Sequence, residues 1–177
     1  MKKNLLITGR PGVGKTTLVI KAVRASGLAP KGFYTEEIRE AGDRKGFRIK
    51  TFEGEEGILA HVECKGTPRV GKYGVDVESF EAIALPEIEA ALQGSQIIVI
   101  DEIGKMELYS QRFKELVIKA LDSPYLFLGV IKEHGDGFIQ GIKARQDVRV
   151  FTLNTENRNS LMQEVLNALN NIMGQSP

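Results

Sequence analysis

The chain is poor in several residue types. It has one cysteine, Cys64, and two histidines, His61 and His134, in 177 residues. One cysteine excludes an internal disulfide and a four-cysteine zinc site, and two histidines are too few for a histidine-rich metal site. Neither charge is in excess: 24 Lys and Arg stand against 23 Asp and Glu. That balance excludes a nucleic-acid binder built on bulk electrostatics. No apolar run approaches the roughly 18 residues of a membrane span. Met1, Lys2 and Lys3 are followed by an apolar run of only Leu5, Leu6 and Ile7, too short for a signal peptide. There is no internal repeat and no low-complexity stretch. The expectation is a cytoplasmic chain with no membrane association and no nucleic-acid or protein partner indicated; its oligomeric state is left open, with a monomer slightly favoured.

What is present is ordinary for a folded domain, at 42% hydrophobic and 27% charged residues. A chain this long buries roughly 70% of its unfolded surface, so a single domain over 1–177 is expected. Apolar strands alternate with amphipathic helices. Asn4 to Thr8 reads as a strand and Lys15 to Ser26 as a helix, with Gly27 behind it. Phe33 to Arg39 and Phe47 to Phe52 read as strands around a turn at 41–46, and Gly57 to Val62 is a candidate third. Together they form a β-meander inserted at about 33–62. Thr67 to Gly74 reads as an irregular loop. Pro86 suits the first turn of a helix ending near Gln93. Gln96 to Ile100, Tyr125 to Ile131 and Val148 to Leu153 read as strands. Helices are expected after Ser110, around 138–145, and from about Glu156 to Met173, the last with Leu161, Val165, Leu166, Leu169 and Ile172 inward. This is an α/β pattern with a mostly parallel sheet covered on both faces.

Gly9-Arg10-Pro11-Gly12-Val13-Gly14-Lys15-Thr16 fits G-x-x-x-x-G-K-[ST], between a strand and a helix. Such a loop turns successive backbone N–H groups inward onto phosphate oxygens, and the helix N-terminus adds a fixed positive end. Lys15 is placed to reach the β- and γ-phosphates. The Thr16 hydroxyl is the expected Mg²⁺ ligand, and Thr17 is expected near the α-phosphate. Gln96 to Ile100 ends in Asp101-Glu102, the form of the acidic strand that accompanies this loop. Asp101 is then the Mg²⁺-site acid and Glu102 the base that orients or deprotonates an attacking water. A Glu in this position favours an extra strand between the loop strand and the acidic strand. The guanine-reading Asn-Lys-x-Asp of GTP switches is missing, since Asn154-Thr155-Glu156-Asn157 lacks both the Lys and the Asp.

Five segments together resemble a known family. They are GRPGVGKTTL from Gly9, DEIGKMEL from Asp101, GFYTEEIR from Gly32 with Gly46-Phe47, RVGKYGV from Arg69, and ENRN from Glu156. They are similar to the thermophilic nucleoside-triphosphatases, whose animal members are called cancer-related nucleoside-triphosphatases. The resemblance implies a P-loop, RecA-like core. It also implies slow, Mg²⁺-dependent hydrolysis of ATP, GTP, CTP and UTP to diphosphate and phosphate. It implies nothing for Lys132 to Arg145, where the family has no fixed pattern.

Other residues keep two readings. Lys105 and Glu107 either line the site or form a solvated turn. Lys72 and Tyr73 either reach a phosphate and a base from a mobile loop or are surface and packing. Asn157 and Arg158 either border the base, outside the carboxyl ends of the strands, or belong to a helix cap. Glu36, Arg39, Arg44 and Arg48 read mainly as solvated charge on the meander. Lys132, Lys143 and Arg145 are candidates for a cation facing the γ-phosphate. Two other functions compete with hydrolysis. One is a nucleoside or nucleotide kinase with its acceptor pocket around 132–149. The other is a nucleotide-timed binding module using the meander.

Overall fold

The computed structural model describes residues 2–66 and 68–174. Its order is β1 (Asn4–Thr8), α1 (Lys15–Ser26), β2 (Pro30–Glu40), β3 (Asp43–Thr51), β4 (Glu56–His61), β5 (Arg69–Val70), β6 (Tyr73–Val75) and α2 (Val77–Gln93), followed by β7 (Ile97–Ile103), α3 (Gln111–Asp122), β8 (Leu126–Ile131), α4 (Gly137–Lys143), β9 (Val148–Thr152) and α5 (Arg158–Met173). All nine strands form one sheet, in the order β5-β6-β4-β3-β2-β7-β8-β1-β9. The strands β2, β7, β8, β1 and β9 pair in parallel. This is an α/β, P-loop-type fold, and β8 is the extra strand between β1 and β7.

Strand alternation explains the two cores. Leu5 and Ile7 of β1 and Ile97 and Val99 of β7 face α1 and α5, with Val19, Val165 and Leu169. Leu6, Ile98 and Ile100 face α2, α3 and α4, where Phe33, Phe80 and Phe113 meet at centroid spacings of 5.2 to 6.0 Å. Strands buried on both faces read as unbroken apolar runs, which is what β1 and β7 are.

The antiparallel region grows out of the parallel sheet. Pro30 to Phe33 pair in parallel with Ile97 to Ile100, and from Phe33 onward β2 pairs antiparallel with β3. The β2–β3 turn is tighter than the predicted 41–46, with only Ala41 and Gly42 between the strands, at φ 49° and 84°. The predicted loop 67–74 begins at Thr67, outside the described residues. Its remainder contains the hairpin β5–β6, which extends the meander.

Helix α2 starts nine residues before Pro86. The Asp76 side chain accepts the Ser79 N–H at 2.9 Å and caps it. Pro86 lies inside the helix, where it removes one donor and frees the Ala82 carbonyl. Both residues are exposed, so water can satisfy that carbonyl. Leu166 of α5 is only partly buried, and Ala168 takes its place in the core.

Gly32 sits where β2 meets β7. Its φ is 130°, and a Cβ there would fall 1.9 Å from the Val99 carbonyl oxygen, an overlap with backbone on both sides. A Gly32→Ala variant is expected to lose about 3 kcal/mol or more of stability. Urea unfolding checks this, and an unchanged midpoint contradicts it.

Candidate active site

The loop from Gly9 to Gly14 runs from the end of β1 into α1. Gly14 is the residue before the helix, at φ 105°, a left-handed conformation that excludes most side chains. No side chain caps this end and no acid lies in the first turn. The first-turn N–H groups of Lys15, Thr16 and Thr17 therefore remain as donors for an anion. Lys15 Nζ donates to the Gly9 carbonyl at 2.6 Å and to the Arg10 carbonyl at 3.2 Å, which holds its ammonium over the loop. Arg10, Pro11 and Gly12 are exposed, while Val13 anchors the loop in the α1–α5 core.

Asp101 lies near the end of β7. It is 0% exposed, and neither carboxyl oxygen has a hydrogen-bond partner. Burial raises its pKa to about 7. The Thr16 hydroxyl, the Thr35 backbone and Lys15 oppose that rise, and the Glu102 charge adds to it. A buried carboxyl with both oxygens orphaned is what a cation site requires from its acid. Thr16 is the hydroxyl beside it. Both residue types suit a hard divalent ion such as Mg²⁺.

Glu102 is next in the chain and only partly buried. Burial raises its pKa, while Lys15 and Lys132 favour its charged form. Glu107, on the single 3₁₀ turn 107–109, is 4% exposed. Burial first, and then the Glu102 charge, push its carboxyl well above the ordinary range. Glu107 is thus a buried neighbour of Glu102 and not part of a solvated turn. Lys105 is exposed.

Gly104 lets these carboxyls approach. A Cβ at this position would meet Glu102 Oε1 at 2.7 Å and Glu107 Oε2 at 3.1 Å. In a Gly104→Ala variant the flexible Glu102 carboxyl swings aside while the backbone stays. The expected result is a kcat about tenfold or more lower, with KM and melting temperature nearly unchanged. Steady-state kinetics and a thermal melt decide this, and a wild-type kcat would show that the placement of Glu102 is unimportant.

The other candidates separate by position. The turn after β9 borders the loop: Leu153 N–H donates to the Thr8 carbonyl at 2.8 Å, and Asn157 and Arg158 follow it. Asn157 stands at the start of α5, but its side chain turns back, accepting from Asn154 N at 2.8 Å and donating to the Thr152 carbonyl at 2.8 Å. Arg158 is exposed. Lys72 and Tyr73 are not brought to the loop, since β4, β3, β2, β7 and β8 separate β6 from β1. Tyr73 is packing: it is 7% exposed, stacks edge-on against Phe47 and accepts a hydrogen bond from Arg44 Nε at 2.8 Å. The backbone hydrogen-bonding pattern of the hairpin, invisible in a Gly-rich stretch, explains the difference. Arg39 and Arg44 pair with Glu37, Lys50 with Glu36, and Arg48 with Glu56.

Of the three candidate cations, only Lys132, just past β8, stands near Glu102. Arg145 binds Asp122 and Asp147 before the amino ends of β8 and β9, away from the carboxyl ends that carry the loop. Lys143 donates to the Glu133 carbonyl at 2.6 Å. Thr35 and Gly104 lie in segments that carry the resemblance but were given no role from sequence, because what they do comes from close approach to residues on β7 and after it.

The family described as NTPase matches residues 4–166. The nucleoside-triphosphatase THEP1 of Thermotoga sp. (strain RQ2) is 52% identical, over 93% of this chain and 94% of its own. The human cancer-related nucleoside-triphosphatase is 42% identical, over 94% of this chain and 96% of its own. The crystal structure of THEP1 from the hyperthermophile Aquifex aeolicus matches with a TM-score of 0.86 at 38% identity, covering 94% of this chain and 98% of that one. Among the described residues, no helix is long and apolar enough to cross a membrane.

Proposed function

The chain belongs to the nucleoside-triphosphatase family, and from that premise we propose that it is a slow, Mg²⁺-dependent hydrolase of ATP, GTP, CTP and UTP that uses Glu102 to activate water. The observation that carries this reading is the partnerless, buried Asp101 carboxyl beside Glu102, one strand across from the phosphate loop.

Gly9 to Thr17 hold the phosphates through backbone N–H groups, and Lys15 adds a point charge. Thr16 and Asp101 would hold Mg²⁺, which would supply charge neutralisation at the phosphates. Glu102 accepts the proton of a water molecule as its oxygen bonds to the γ-phosphorus and the bond to the β-phosphate oxygen breaks. Diphosphate and phosphate leave, and the proton passes from Glu102 to solvent. Burial near Glu102 strengthens these interactions over their value in water.

Two observations support the finer points. Asn157, beside the loop, spends both ends of its side-chain amide on local backbone groups, and the Asn154 amide oxygen does the same, which leaves fewer groups to tell bases apart. Arg39, Arg44, Arg48 and Arg145 are committed to carboxylates away from Glu102, which suits slow turnover, since an arginine facing the γ-phosphate is worth about 10³-fold or more.

The test is phosphate release from the four triphosphates, with Mg²⁺ and with a chelator, and with no acceptor present. All four are expected to be hydrolysed within about tenfold of one another, and chelation should abolish release. Hydrolysis of a single base, or release unaffected by chelation, would sink the proposal.

A further inference from the structure

Lysines converge on one cavity beside the active site. The cavity measures about 330 Å³ and is lined by Lys105, Lys114 and Lys132, with Tyr109, Leu108 and Ile139 forming its apolar wall. None of the three lysines is paired with a carboxylate among the described residues, in contrast to the meander, where Arg39, Arg44, Arg48 and Lys50 each have an acid. The contact made by the Lys114 ammonium is with the Phe138 ring, at 5.6 Å to its centroid. Asp136 also lines the cavity, with its Oδ1 accepting the N–H groups of Phe138 and Ile139, so one carboxylate stands among the three lysines.

In a chain of net charge +1, three lysines against one carboxylate around one small space leave an excess of positive charge that a bound anion would offset. Lysine ammoniums are compact point charges. They suit a tetrahedral phosphate, whereas a planar carboxylate favours the arginine fork. The volume lies at the lower end of small-molecule sites. The exposed ring of Tyr109, at 42%, and the two aliphatic side chains would give an organic group something to rest on. No residue of the phosphate loop lines this cavity, so it adjoins the triphosphate site without including the loop. Lys132, which follows the strand between β1 and β7, stands at the boundary of the two.

We propose that this cavity is a second anion site, which takes a phosphate monoester of about nucleotide size while the loop holds its own nucleotide. The inference needs neither the metal assignment nor the role of Glu102.

The test is calorimetric titration of the full chain, saturated with Mg²⁺ and ADP to fill the loop, with AMP in one arm and inorganic phosphate in the other. AMP is expected to bind at least tenfold more tightly than phosphate, because only AMP uses the apolar wall. Lys114→Ala should weaken AMP binding about tenfold, and Lys114→Arg should retain it, with melting temperatures showing that both variants are folded. The proposal falls if neither ligand binds or if AMP is displaced by ADP. It also falls if phosphate binds as tightly as AMP, or if Lys114→Ala binds AMP as well as wild type.

Discussion

In a Glu102→Gln variant, phosphate release is expected to fall by about 10²- to 10³-fold while nucleotide still binds. Glutamine keeps the size of the side chain and its place over Gly104, so the loop and Lys15 are undisturbed. What disappears is a group able to take a proton from water as the bond to phosphorus forms. Burial raises the proton affinity of Glu102, and Lys15 and Lys132 hold that rise in check. The result is a base stronger than a surface carboxylate, whose charged form the two lysines favour. The loss should therefore appear in kcat, with KM nearly unchanged, because the phosphates are held by the loop. Single-turnover phosphate release measures the first quantity, and titration with a fluorescent triphosphate the second. A variant that hydrolyses at the wild-type rate would remove Glu102 from the chemistry. One that no longer binds nucleotide would make it a structural residue.

Legibility in the sequence followed the range of the interaction that decides each residue. The phosphate loop and β7 were legible because local patterns define them: fixed glycine and lysine spacing in one, an unbroken apolar run ending in Asp101-Glu102 in the other. The family resemblance drawn from five short segments is the family that the comparisons return. The place of β8 between β1 and β7 was legible only through the type of residue that follows Asp101. Helix α2 was misread at its start because Pro86 is the stronger local signal. The Asp76 cap is visible in the sequence but competes with strand-like valines on either side. Tyr73 kept two readings because short strands such as β5 and β6 exist only through pairing with their neighbours, a long-range condition. Gly32 and Gly104 lie in the segments that carry the resemblance, but why each is glycine was not legible, since what crowds a side chain there is a neighbour brought in by the fold. The lysine cavity brings together the ends of β7 and β8 and one face of α3, three segments that no local pattern joins.

The second large effect expected is one of opposite signs in a single variant, Asp101→Asn. Activity should fall by about 10²-fold or more, because an amide neither holds a divalent cation well nor offsets its charge. The metal-free fold, by contrast, should become more stable. The pKa of the Asp101 carboxyl is raised from 3.8 to about 7 by burial, so its ionisation costs the fold on the order of 4 kcal/mol once the pH is above 7. The sign follows from proton counting. Between pH 3.8 and 7 the folded chain holds a proton here that the unfolded chain has lost, so stability falls as pH rises across that window and is level above it. Asparagine carries no charge to bury. Its amide meets the Thr16 hydroxyl and the Thr35 backbone, though an imperfect fit there offsets part of the gain, about 1–3 kcal/mol. The metal-free variant is therefore expected to melt about 5 °C above wild type at pH 8, a gap that closes toward pH 4. Adding Mg²⁺ should raise the wild-type melting temperature and leave the variant's unchanged. Thermal melts at the two pH values, each with and without Mg²⁺, measure all of this. A variant that melts below wild type at pH 8, or responds equally to Mg²⁺, would show that Asp101 carries neither an uncompensated charge nor the metal.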